Sequence, residues 1–367
     1  MKARYNVVFV GKTGVGKSAL INYLYGDKIR ETGVGKPVTQ RGFHYADNEI
    51  NGLPVRFFDS LGLEVGKEQE WLGDLEEELK KRGTGKPAEQ WFHSVFYCIG
   101  AGGLKVKDFD TQIIKRFIRE KYKVTVILIK ADLISEEDEE KLRDTVQNDL
   151  GQAVPVIPVC SEEKQLRGGR ISEKFGKEKV ELQAYNDFCN SIILRLPEHC
   201  VKILEQRIDE WYEKQKKYIN ENTTRWNSNE IQHNVIKESN AFIKKEFEER
   251  NTIKQEFQET LKLYKNLVQC LNYPPSDADA IMKLPTEQTE DWEWWESPIV
   301  FWDGIICVTP VTGIFGFIII AIGYLIRAED NKRALTDGIE NAVSSLKQKL
   351  PEIEAGIKKM LEKLKEK

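Results

Sequence analysis

Eight residues near the start of the chain, Gly11-Lys12-Thr13-Gly14-Val15-Gly16-Lys17-Ser18, place glycines, a lysine and a hydroxyl at the spacing of a P-loop. The glycines let successive backbone N–H groups curl round a phosphate. Lys17 is placed to reach the β- and γ-phosphates, and the Ser18 hydroxyl suits Mg²⁺. The flanks make the motif specific. Tyr5 to Val10 is an apolar run that predicts a buried strand, and Ser18 to Leu24 predicts an amphipathic helix whose N-terminus adds partial positive charge. Gly11 through Ala19 are therefore expected to cradle a nucleoside triphosphate, with Lys17 and Ser18 serving the chemistry and Ser18 also the metal.

Two further clusters refine that expectation. Val124 to Ile129 predicts a β-branched strand ending in Lys130-Ala131-Asp132. A carboxylate in the base plane accepts two hydrogen bonds from guanine N1–H and N2–H₂, which adenine does not offer, so Lys130 and Asp132 argue for GTP and GDP. Between the motifs, Val55 to Phe58 leads into Asp59-Ser60-Leu61-Gly62. Asp59 is expected to hold Mg²⁺ through water, and the Gly62 N–H to meet the γ-phosphate.

On these motifs residues 5–197 resemble a G domain of the translation-factor/Era-like branch of GTPases, which also includes septin-like, immunity-related and dynamin-like proteins. The resemblance covers about half the chain and implies turnover of GTP to GDP and phosphate with Mg²⁺. It makes Thr39, in Gly35-Lys36-Pro37-Val38-Thr39, the candidate switch I threonine that closes over Mg²⁺ and the γ-phosphate, with Thr32 the competitor. It likens Cys160-Ser161, after Val154 to Val159, to the last G box, whose backbone contacts the guanine carbonyl. Two residues depart from the pattern. Leu63 stands where Ras-like enzymes carry a glutamine that orients the attacking water, so the sequence resembles the hydrophobic-substituted GTPases, which position water by other means, often when two G domains meet. Ile129 stands where Asn or Thr normally ties the Lys-x-Asp loop to the P-loop, which implies moderate affinity and rapid exchange.

The elements that must position these residues can be read from periodicity. Strands are expected at 5–10, 42–46, 55–58, 94–99, 124–129 and 154–159, giving an α/β G domain with a mixed, mostly parallel sheet and helices on both faces. A closing helix is expected over 178–196, ended by Pro197. Residues 64–90, with Trp71 and Leu72 in a short helical pattern, read either as a mobile switch II region or as a solvated connecting helix.

From His199 to about Leu271 the sequence predicts long, charge-rich helices: one stripe from Val201 to Tyr212, a break at the asparagine-rich stretch 220–229, and a second stripe from Ile231 to Val268. Residues 304–326 carry no charge and follow Trp292, Trp294, Trp295 and Trp302. The flanks are acidic before and basic after, and Pro310 and Gly313 interrupt the run, which favours a hairpin with both ends on one side. Such a hairpin dips into a bilayer or is a buried helical pair. Ala334 to Lys367 reads as an amphipathic helix broken at Pro351, packing on the helical domain or touching anionic lipid. The expected organisation is a G domain over 1–197, a helical domain and acidic linker over 198–296, the hydrophobic segment or hairpin over 297–327 and the terminal helix over 328–367.

The chain has 367 residues and a net charge of −4, so nucleic acid is not electrostatically favoured as a partner. Six scattered cysteines lack metal-like spacing and read as reduced, buried thiols, and the four histidines are dispersed. Met1 to Arg4 lead straight into the first strand, so no signal peptide is expected and a cytoplasmic location follows. The leading expectation is a GTP-hydrolysing switch whose G domains pair as a homodimer and drive a helical arm that acts on a membrane, through 304–326, or on a protein. A membrane-perturbing effector gated by the G domain and a ribosome- or assembly-associated GTPase remain as other readings.

Overall fold

The computed structural model describes residues 4–12, 14–26, 43–50, 53–60, 68–151, 154–165, 171–224, 226–271 and 331–365. The chain divides into two compact units, residues 1–195 with 261–281 and residues 196–260 with 282–367.

The first unit is built on a six-stranded sheet of β1 (Tyr5–Gly11), β2 (Phe43–Ile50), β3 (Leu53–Ser60), β4 (Ser94–Gly100), β5 (Thr125–Ile129) and β6 (Val156–Val159), in the order β2-β3-β1-β4-β5-β6. Only β2 runs antiparallel, paired with β3; the other pairings are parallel. The strands are apolar on both faces because helices cover both. Val8 and Val10 join one core cluster with Trp71, Leu72, Leu75 and Leu79 of α2 (Glu68–Lys81), Ile113, Ile114 and Phe117 of α3 (Asp108–Arg119), and Leu142 and Val146 of α4 (Glu136–Leu150). Phe9 and Tyr5 alternate to the other face. There Phe57 meets Phe9 and Tyr25 of α1 (Lys17–Tyr25), and Tyr5 meets Phe188 of α5 (Lys177–Asn222).

Three sequence expectations change in this unit. Residues 68–81 are not a solvated helix: Trp71, Leu72, Leu75 and Leu79 form a buried stripe at helical spacing. Pro197 does not end α5, which continues to Asn222. A proline removes one intrahelical donor, but Ile192, Leu196, Cys200 and Leu204 are all fully buried, so the same face keeps packing across the proline. A short antiparallel hairpin, β7 (Lys164–Gln165) with β8 (Ile171–Ser172), was also not foreseen, since its strands are too short to leave a pattern.

At the foot of this unit the fully buried Arg195 lies over the rings of Trp91 and Tyr122 and donates to the carbonyl oxygens of Glu120 and Arg82, the latter at 2.8 Å. It thereby serves carbonyls at the C-terminal ends of α3 and α2, which lack partners within their own helices.

The second unit holds the distal part of α5, α6 (Ser228–Ile243), the start of α7 (Asn251–Leu271) and α8 (Asn331–Lys365). Trp211 and Ile219 of α5, Ile231 and Val235 of α6, and Leu335 and Ile339 of α8 share one core. The terminal helix thus packs back on its own helical unit. It passes through Pro351 without the expected break, carried by Leu346, Leu350, Ile357 and Leu361, all buried. The second stripe is divided instead: a π-helical turn, Lys244–Glu248, and Arg250 at φ 56° separate α6 from α7. Among the described residues no helix is long and apolar enough to cross a membrane. The stretch 304–326 lies outside the described residues.

Candidate functional site

β1 delivers its chain to a tight turn that only glycine can make. Gly14 and Gly16 have φ of 75° and 119°, and a side-chain carbon on Gly11 would run into the Cys98 carbonyl oxygen of β4. The loop is backed by two strand ends. Val15 Cγ2 lies 3.3 Å from where a side-chain carbon on Gly100 would sit, and Ile129 Cγ2 lies 3.0 Å from the equivalent position on Gly16. Gly16 is also the N-cap of α1, and no side chain hydrogen-bonds to cap that turn. The first helical N–H groups of α1 are therefore donors of the kind that anions bind.

Lys17 is 7% exposed, and its ammonium donates to the carbonyls of Gly11 (2.8 Å) and Lys12 (3.1 Å). The charge is held at the centre of the loop. Ser18 follows on the first turn of α1. Burial lowers the Lys12 ammonium below the ordinary lysine range, opposed by the Asp110 carboxylate and aided by Lys107. Asp110 is itself anchored, accepting from the Tyr97 hydroxyl (2.7 Å) and the Lys107 N–H (2.9 Å) at the start of α3. Sequence reading passed over Gly100 and Asp110; a glycine closing the strand Cys98-Ile99-Gly100 was the available signal for the first.

Beyond β5, Lys130 adopts a left-handed conformation at φ 62°, and the turn Ala131–Leu133 carries Asp132. The Lys130 stem also reaches the P-loop, with Cε 4.0 Å from the side-chain position on Gly16. Asp132 is brought to Cys160 at the end of β6. The thiol lies 3.2 Å from the Glu162 carbonyl and beside the Asp132 carboxylate; burial first, then Asp132 as hydrogen-bond partner and charge, push it above the ordinary thiol range. The backbone N–H and C=O of Cys160 are both taken by Phe175, at 3.2 and 3.1 Å. Ser161 borders a cavity of about 490 Å³ whose walls include Ala19, Asn22 and Tyr23 of α1.

Asp59 lies at the end of β3, with its backbone in parallel register beside Phe9 of β1 and so next to the strand that carries the P-loop. The structure therefore gathers Gly11, Lys12, Gly14 to Ala19, Asp59, Lys130, Asp132, Cys160 and Ser161 at the carboxyl ends of adjacent strands, where open α/β sheets bind ligands. Thr13, Thr32, Thr39, Gly62, Leu63 and the Asp59 side chain lie outside the described residues. Among those described, no cluster of three or more His, Cys, Asp or Glu could hold a metal. Ser18 and the Asp59 position supply the hard oxygen donors that Mg²⁺ takes, so the residues fit that ion.

Residues 6–160 match the sequence model of the 50S ribosome-binding GTPase family. The chain is 25% identical over 164 residues to Septin-14 of Mus musculus, covering 40% of this chain and 38% of that protein. It is 27% identical over 176 residues to the tRNA modification GTPase MnmE of Prochlorococcus marinus, covering 48% and 35% respectively. The chain therefore spans well under two thirds of the length of these relatives. Among solved structures it is similar to Toc33 from Arabidopsis thaliana in complex with Mg²⁺ and GMPPNP, at 16% identity and a TM-score of 0.36, covering 53% of this chain and 87% of that one. Over residues 6–160 the chain is therefore similar to P-loop GTPase domains, with septin and MnmE proteins among those it resembles.

Proposed function

We propose that the protein binds GTP with Mg²⁺ and hydrolyses it to GDP and phosphate, as a switch whose G domains self-associate and whose helical unit acts on a membrane or a protein partner. The observation that supports this most is the convergence of two recognition elements. The buried Lys17 and the uncapped α1 terminus form a phosphate site, and Asp132 stands beside Cys160 as a base-reading carboxylate.

In this reading the backbone of residues 11–19 and the Lys17 ammonium bind the phosphates and orient the γ-phosphoryl group for attack. Ser18, Asp59 and Thr39, or Thr32 in its place, would hold Mg²⁺, which when bound neutralises charge on the phosphate oxygens. The Gly62 N–H would hold a γ-phosphate oxygen. Asp132 accepts from the guanine edge while the Lys130 stem shields the base from water. Because the Cys160 amide is committed to Phe175, Ser161 is the member of that pair to donate to the guanine carbonyl. Leu63 has no group to orient water, so a neighbouring G domain completes the site.

The test is GTPase rate against protein concentration, with and without liposomes, for wild type and Lys17→Ala. Slow turnover that rises per molecule with concentration, and is lost in Lys17→Ala, is expected. Unchanged GTP affinity and turnover in Lys17→Ala would overturn the phosphate site, and fast turnover independent of concentration would overturn completion by a second chain.

A further inference from the structure

Two neighbouring strand ends present apolar side chains to solvent at the carboxyl edge of the sheet. β4 runs into the turn Ala101–Gly103 and then Leu104, and β5 into the turn that ends at Leu133. The two turns touch: Leu133 Cδ1 lies 3.8 Å from where a side-chain carbon on Gly102 would sit. Leu104 is 49% exposed and Leu133 54%. Leu104 also holds φ at 47°, a left-handed conformation that a leucine disfavours. A single exposed leucine is ordinary, but two on touching turns form a patch of the kind that a partner covers.

The charges that flank the patch are of opposite sign. On the β4 side the chain continues through exposed Lys105 and Lys107 into α3, where Asp108 offsets one of them. On the β5 side α4 opens with acids from Glu136 to Glu139, and Glu140 follows. Ser135 already caps that helix, and Glu137 and Glu139 pair with Lys141 and Arg143. Exposed Glu136 and Glu140, and Lys105 across the patch, form no ion pair among the described residues.

We propose that a second copy of this chain docks on this patch about a two-fold axis, leucines against leucines, so that Lys105 and Lys107 of each copy face Glu136 and Glu140 of the other. A two-fold interface must be complementary to itself. A surface that is basic on one side of an apolar centre and acidic on the other meets that condition, and an apolar centre within a charged rim is the ordinary anatomy of an interface. The inference rests on the self-associating reading above and names the face that it uses. Leu133 follows Asp132 on the same turn, so pairing here covers the base-reading end of the nucleotide site.

The test is sedimentation velocity of the full chain with GDP and with a non-hydrolysable GTP analogue, for wild type, Leu104→Asn, Lys105→Glu/Lys107→Glu and Glu136→Lys/Glu140→Lys, with thermal melts on each. Asparagine tolerates left-handed backbone, so Leu104→Asn should melt as wild type does and pair about 10-fold more weakly. That variant keeps the test informative should a charge reversal fold poorly. Each double reversal sets like charges face to face and should pair at least about 10-fold more weakly by itself. An equimolar mixture of the two should recover wild-type pairing, because both contacts then join opposite charges. Wild type that pairs, with variants that pair as tightly or a mixture that pairs no better than its components, overturns this face and leaves self-association standing. Wild type that stays monomeric in both nucleotide states overturns both.

Discussion

The Ile129 Cγ2 methyl stands 3.0 Å from the position a side-chain carbon on Gly16 would occupy, so the end of β5 touches the P-loop through an apolar contact. Ile129 replaces the polar residue that usually joins these loops. Here the Ile129 methyl and the Lys130 stem lie beside Gly16 in its place. Rapid exchange, expected from the lost polar group alone, thus has a counterweight in the packing.

That relationship makes Gly16→Ala a sharp probe. An alanine would hold φ near 119° at a cost of about 1–3 kcal/mol, and its methyl would press on Ile129. Nucleotide titration should show GTP binding lost or weakened at least tenfold. Adding Ile129→Ala should restore only part of it, because it relieves the contact but not the backbone. Normal binding in Gly16→Ala would mean that the loop is not clamped in this way.

The elements of the candidate site were legible because they depend on short, local spacing: a strand, a glycine turn and a helix in order, then Lys-x-Asp at a strand end. Local rules misled where packing outweighed them. Pro197 reads as a helix end and Pro351 as a break, yet each lies in a helix whose buried stripe continues on both sides, and burying several large side chains offsets one lost backbone bond. The buried face of α2 was obscured by its charge: glutamates and lysines surround Trp71, Leu72, Leu75 and Leu79 and made the segment look solvated. The commitment of the Cys160 amide to Phe175 depends on a bridge between residues 15 apart, which no pattern within either segment announces.

Asp132 is the residue on which base choice turns. Its carboxylate lies beside the buried Cys160 thiol at the end of β6. Asp132→Asn should weaken GTP by about 10–100-fold, the cost of an unmatched polar pair, and favour xanthosine triphosphate, whose C2 oxygen accepts from an amide. Competition titrations with GTP, xanthosine triphosphate and ATP check this. Wild type that takes ATP as tightly as GTP would show that the site does not read guanine.

His93 ties the stability of the first unit to pH. Its ring is 1% exposed and stacks on Tyr5. Nδ1 accepts from the Asn6 N–H (2.9 Å) and Nε2 faces the Ala88 carbonyl (3.1 Å), an arrangement that places the proton on Nε2 and keeps the imidazole neutral. Burial pushes its pKa down from 6.5 to about 3; the Ala88 carbonyl opposes this, and the cations of Arg195 and Arg82 add to it. The folded value lies below the unfolded one, so between them the unfolded chain binds more protons and stability rises with pH. The contribution is complete above about pH 6.5 and is lost progressively as pH falls toward 3. Between pH 7 and 5 one such group removes about 2 kcal/mol, by 1.36 kcal/mol per pKa unit. Denaturant unfolding across that range should show this loss in wild type, and His93→Asn, though less stable throughout, should show a flatter slope. Equal slopes in the two proteins would mean that His93 becomes protonated in the folded state as readily as in the unfolded one, and that its buried hydrogen bonds do not hold it neutral.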